Sequence, residues 1–222
     1  LFVYCVVALP EMVGGLLENS SFDIMTIFSS QMPRPAVKTA SMAVLFNLYT
    51  MAYFMFTGLA QAVAIRVGNA IGGGLIAEAR RVAKAGLMQA TLPAAMFTLV
   101  FLLGGAQLAR IFTSDHEVVR TVSAAMPIAA LCLTFDGLFT VMTVGVLAGQ
   151  GDTKTNGICR VLLFVSCGTL GWFLGCQKNL GLNGLWWGIF CSLSVVAIYS
   201  LVVVLKSDWA AACEKAKDRQ RA

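Results

Sequence analysis

Residues 121–151 read TVSAAMPIAALCLTFDGLFTVMTVGVLAGQG, and the whole stretch holds one charged residue, Asp136. The run exceeds the roughly 20 apolar residues that cross a bilayer at 1.5 Å per residue. It reads as a membrane helix with a carboxylate at mid-depth. A charge there costs at least a few kcal/mol by insertion scales, roughly 3 at the helix centre, and usually marks an ion or proton path. The plainer reading is a structural carboxylate held by hydroxyls and backbone.

Composition agrees with a membrane protein. The chain is 58% hydrophobic and only 12% charged, where a soluble domain carries about 25% charged residues. No basic segment, short apolar core and small-residue cleavage site open the chain, so no signal peptide is expected. The first residue is Leu1 rather than Met, which suggests a fragment or a processed product. The expected fold is all-α and integral to the membrane. A six-transmembrane-helix bundle fills residues 1–205, with helices at roughly 11–31, 39–65, 85–109, 117–148, 157–177 and 181–205. Residues 206–222 form a basic tail. The first segment contains Glu11, Glu18 and Asp23. Either it spans, or it is re-entrant or interfacial and five helices span.

The basic residues set the orientation. With six spans, one side carries Arg34, Lys38, Arg110, Arg120 and Lys178. The other carries Arg66, Arg80, Arg81, Lys84, Lys154, Arg160, Lys206, Lys215, Lys217, Arg219 and Arg221. The richer side is expected to be cytoplasmic, and with it the C-terminus. The net charge of +5 is thus a topology signal. No stripe of basic and aromatic residues points to nucleic acid. The tail is expected to be solvated, with contact to anionic lipid as the lesser option. Whether the host is the plasma membrane or an internal (vacuolar) membrane stays open.

Seven cysteines, at 5, 132, 159, 167, 176, 191 and 213, sit mostly within apolar spans without CxxC spacing. They read as small buried apolar residues, not as a disulfide framework or a zinc site. No catalytic or metal-ligating set emerges, and no enzyme is expected. His116 is expected in an exposed loop, with a pH-sensing role as the minor reading.

Glu18 and Asp23 are five residues apart, about 140° around a helix, so they do not share a face. Both can still line a broad cavity if the helix is irregular near Gly14 and Gly15; otherwise they are solvated acids of an interfacial segment. Glu11, just after Pro10, is expected at the headgroups. Asn47 and Tyr53 inside the second helix are ligand-binding candidates, with interhelical hydrogen bonding as the alternative. The Gly-rich stretch Arg66–Gly74 lacks the Lys-Ser/Thr ending of a phosphate-binding loop. It reads as a helix stop and turn. Gly149–Gln150–Gly151–Asp152 matches the GxGD spacing of intramembrane aspartyl proteases. Asp152 lies at a helix end, however, and that family's Pro-Ala-Leu element is absent.

Four stretches resemble the C-terminal half of a eukaryotic-type multidrug and toxic compound extrusion (MATE) transporter. They are Leu9–Pro10 with Glu18, Phe22 and Asp23; Gly58 through Arg66–Val67–Gly68–Asn69 and Gly72; Asp136 with Gly145–Val146–Leu147 and Gly149–Gln150–Gly151; and Gly181 through Gly184–Leu185–Trp186 and Gly188. Asp23 replaces the family's glutamate.

The resemblance implies the C-lobe of a twelve-helix fold, in which two bundles flank a central cleft. It implies efflux of organic cations or other amphiphilic small molecules in exchange for H⁺, or for Na⁺ as in some prokaryotic members, with no other cofactor. Glu18, Asp23 and Asp136 fall where eukaryotic members carry cavity carboxylates, and Asn47 where some animal members have another glutamate. In the implied mechanism, proton and cation compete for one poorly hydrated carboxyl. Phe22, Phe135, Phe139 and Trp172 are candidates for apolar or cation–π surface, against simple helix packing. The implied partner is a missing N-terminal bundle or a second copy. The competing expectation is a lone half-transporter that moves nothing and acts as an assembly partner or inert fragment, with Glu18, Asp23 and Asp136 unpaired.

Overall fold

The computed structural model describes the backbone of residues 2–221 and the side chains of residue 9 and residues 12–218. Expectations for Cys5, Glu11, Arg219 and Arg221 lie outside the described side chains. The chain forms α1 (Phe2–Ser30), α2 (Pro35–Gly72), α3 (Ile76–Phe112), α4 (His116–Thr140), α5 (Thr153–Trp172), α6 (Gly181–Lys206) and α7 (Trp209–Arg221). Two helices end in wider π turns: α4 continues through Val141–Leu147, and α5 through Phe173–Gln177.

Among the described residues, five helices are long and apolar enough to cross a membrane: α2, α3, α4 with its π extension, α5 with its extension, and α6. α1 is one continuous helix lying along α5. No re-entrant break interrupts it. The 38 residues of α2 extend about 57 Å, nearly twice a bilayer's ~30 Å apolar core. The helix therefore passes through Arg66–Asn69, where the sequence suggested a stop, and turns only at Gly73–Gly74, with Gly74 at φ +72°. His116 is the exposed first residue of α4, just after its N-cap Asp115.

The centre of the bundle is α4, whose most apolar stretch is 72% buried, against 17% for that of α3. Around it the helices approach closely through small residues. Gly184 and Gly188 of α6 face Gly171 and Gly175 of α5, and a Cβ on Gly188 would lie 2.6 Å from Gly171 Cα. This is the small-xxx-small packing by which membrane helices associate without a hydrophobic driving force. A Cβ on Gly149 would lie 2.9 Å from the Ala64 carbonyl oxygen of α2. Gly68 on α2 and Gly145 and Gly149 at the end of α4 thus form a contact surface between these two helices.

The tail differs from the solvated end expected of it. Residues 209–221 are helical, with Trp209 and Cys213 buried against the ends of the longer helices. One face of α7 is apolar enough to dock, and its lysines stay outside.

Candidate functional site

Four helices bring polar side chains to one cavity of about 400 Å³, lined by Glu18, Phe22, Tyr49, Tyr53, Asp136 and Arg160 among others. That volume falls within the range of small-molecule sites. Tyr49 and Tyr53 lie one turn apart on α2, and Asp136 and Thr140 one turn apart on α4. The same i, i+4 spacing on facing helices makes a ladder. The Tyr49 hydroxyl donates to Asp136 Oδ2 at 2.7 Å, and the Thr140 hydroxyl donates to the Tyr53 oxygen at 3.1 Å. The Tyr53 hydroxyl in turn donates to Glu18 Oε1 at 2.6 Å. Asp136 is only 2% exposed.

Glu18 has a second partner. Arg160 Nη1 lies 3.2 Å from Glu18 Oε2, and its Nε donates to Asn156 Oδ1 at 3.3 Å. The guanidinium reaches α1 over Gly14, where a Cβ would sit 2.5 Å from Arg160 Cδ. A side chain at residue 14 would close that route. The sequence reading placed Arg160 among the loop charges that set orientation, and this is corrected. It is buried two turns inside α5 because its counter-charge is Glu18. Ten basic residues then face five, and the bias keeps its sign.

The candidates separate into two groups. Glu18, Phe22, Tyr53 and Asp136 line the cavity. Phe22 packs against Phe46 at 5.2 Å and Tyr49 at 5.5 Å between ring centroids, forming an aromatic wall. Asp23 and Asn47 are exposed on the outer faces of α1 and α2 and do not line it. Asp23 points away because five residues turn it well past the face that carries Glu18. Phe139 is fully buried in the core, Phe135 stacks edge-on with Phe190, and Trp172 is 44% exposed; none lines the cavity. Tyr49, Thr140 and Asn156 went unread in sequence, and Arg160 was read only as a charge that sets orientation. The signal was present for the first: two tyrosines four apart in an otherwise apolar span. Asp152 caps α5, accepting from Thr155 N at 3.2 Å and the Thr155 hydroxyl at 2.7 Å, a structural role that accounts for the GxGD stretch.

Among the described residues, the charged side chains that line the inner cavity are Glu18, Asp136 and Arg160. With Arg160 bound to Glu18, one further charge is left on Asp136. The cavity can balance that charge with one proton or one organic cation, and its aromatic wall suits the cation.

The sequence model of the MatE family matches residues 10–170. Human multidrug and toxin extrusion protein 1 is 27% identical over 95% of this chain, and the mouse multidrug and toxin extrusion protein 2 is 30% identical over 97%. Protein DETOXIFICATION 3 of Arabidopsis thaliana is 27% identical over 98%. The chain spans 36%, 37% and 47% of those proteins' lengths. The fold matches the eukaryotic MATE transporter AtDTX14 with a TM-score of 0.91 at 22% identity, covering 97% of this chain and 48% of that one. It also matches an outward-facing multidrug resistance MATE family transporter with a TM-score of 0.81 at 17% identity, covering 90% and 44%. The chain is a multi-pass membrane protein with about half a MATE transporter's architecture, and by its family match over residues 10–170 it belongs to the MatE family.

Proposed function

We propose that this chain is the C-terminal bundle of a secondary active transporter that exports organic cations or other amphiphilic compounds in exchange for protons. The observation that carries the reading is the inner cavity itself. A buried Asp136, held by the Tyr49 hydroxyl, lies beside a Glu18 already matched by Arg160. Asp136 is the exchangeable site, and Glu18 holds the tyrosine ladder in place. A proton on Asp136 removes the charge that attracts a cation, and a cation displaces the proton.

The names of the relatives, which describe multidrug and toxin extrusion, support the substrate class. The excess of basic residues on one side supports a cytoplasmic C-terminus. The chain spans only 36% of the human relative and 48% of the AtDTX14 chain, which supports a partner bundle facing the exposed surface of α1 and α2. Asp23 and Asn47 belong to that outer surface. Alternating access then rocks the two bundles against each other.

The test is Asp136→Asn in the intact protein, expressed from its whole reading frame in membrane vesicles. Efflux driven by a pH gradient should vanish while expression holds. Unchanged efflux sinks the assignment.

A further inference from the structure

A second cavity, of about 630 Å³, shares no lining residue with the inner one and lies between the α4–α5 connection, the end of α6 and the start of α7. Three lysines line it: Lys154, Lys206 and Lys215. None makes an ion pair with a described residue. Two acids also line it, and both are engaged. Asp208 accepts from the backbone N–H groups of Ala210 and Ala211 at 2.9 and 3.1 Å, and Asp152 is bound to Thr155. Three ammonium groups against two carboxylates leave one positive charge. The walls are fastened across the cavity by Gln150 Nε2, which donates to Ser207 Oγ at 3.0 Å.

The position of this cavity decides its ligand. Lys206 ends the α6 span. Immediately before it, Leu205 is 74% exposed and Val202 is 41% exposed, and Val202 also lines the cavity. An apolar surface suited to acyl chains therefore runs directly into a cationic chamber at headgroup level. Basic pockets between membrane helices are suited to phospholipid head groups.

We propose that this chamber binds the phosphate of an anionic phospholipid, held by Lys154, Lys206 and Lys215, with its acyl chains lying along the Val202–Leu205 side of α6. The bound lipid links α6 to α7 and fixes the docked tail. The site uses none of the residues of the inner cavity and stands whatever that cavity transports.

The test is native mass spectrometry of the intact protein in detergent, titrated with phosphatidylglycerol or phosphatidylcholine. The wild type should retain phosphatidylglycerol in preference. Each Lys→Ala change should weaken retention by about fivefold, and the triple variant Lys154→Ala, Lys206→Ala, Lys215→Ala by roughly a hundredfold. All three side chains are exposed, and the triple Lys→Arg variant checks folding by keeping both charge and retention. Equal retention of the two lipids, or an unchanged triple Ala variant, overturns the proposal. Inorganic phosphate at millimolar concentration should leave the lipid in place. Displacement by it would assign the site to a free anion and overturn the lipid reading.

Discussion

Removing Arg160 exposes how the inner cavity is built. In Arg160→Met the Glu18 carboxylate keeps its Tyr53 hydrogen bond but loses its counter-charge. The two groups are 3.2 Å apart, with side chains only 7% and 13% exposed, so solvent screens them little. At an effective dielectric near 20, that separation gives about 5 kcal/mol of attraction. Deleting one partner of such a buried pair costs about 3–5 kcal/mol, because the other charge is stranded. In an intact protein about twice the length of this chain or more, that corresponds to a melting shift of roughly 3–5 °C. The double variant Glu18→Gln, Arg160→Met removes both charges of the pair and should recover most of the loss. The assay is thermal unfolding of the intact protein in detergent, followed by size-exclusion fluorescence, on the wild type, both single variants and the double. A coupling energy below about 0.5 kcal/mol, with single-variant losses that simply add, would refute the pairing.

Other changes follow from the same geometry. Tyr49→Phe removes the donor to Asp136 and should cost about 1–3 kcal/mol, seen as a lower melting temperature together with weaker proton-driven efflux. Gly188→Val puts side-chain atoms into the α5 backbone and should destabilise by at least ~1–3 kcal/mol, so the yield of folded protein should fall; a normal melting temperature would contradict the close crossing. Asn47→Ala should change stability by no more than about 0.5 kcal/mol, because the side chain is exposed and outside the inner cavity. Competition binding of an organic cation to the Asn47→Ala protein checks the same point, and a large loss of affinity would place Asn47 in that site.

The membrane helices were legible because long uncharged runs leave few other readings. Their ends were not. α2 and α3 run past the apolar core on interior faces such as Val67, Ala70 and Ala79, which are buried although polar neighbours surround them in sequence. Asp136 stood out because a lone charge in a span has no other explanation in composition. Arg160 did not, because seven residues beyond a helix start it resembles any loop-flanking arginine. Only the fold shows that Gly14 leaves room for it to reach Glu18. Asn47 was drawn from one dimension, in which a polar residue in a span looks functional whichever way it points. The tail was misjudged for a related reason. Its charges dominate its composition, while Trp209 and Cys213, four apart, supply the face that docks.

The central claim is that a proton and an organic cation exclude each other at Asp136. Proton release from the purified intact protein tests it most directly. Tetraethylammonium is titrated into a weakly buffered solution, and the pH change is converted to protons released per cation bound. The account predicts one proton released for each cation in the wild type and none in Asp136→Asn. Cation binding without proton release in the wild type, or release that persists in the Asn variant, would contradict it.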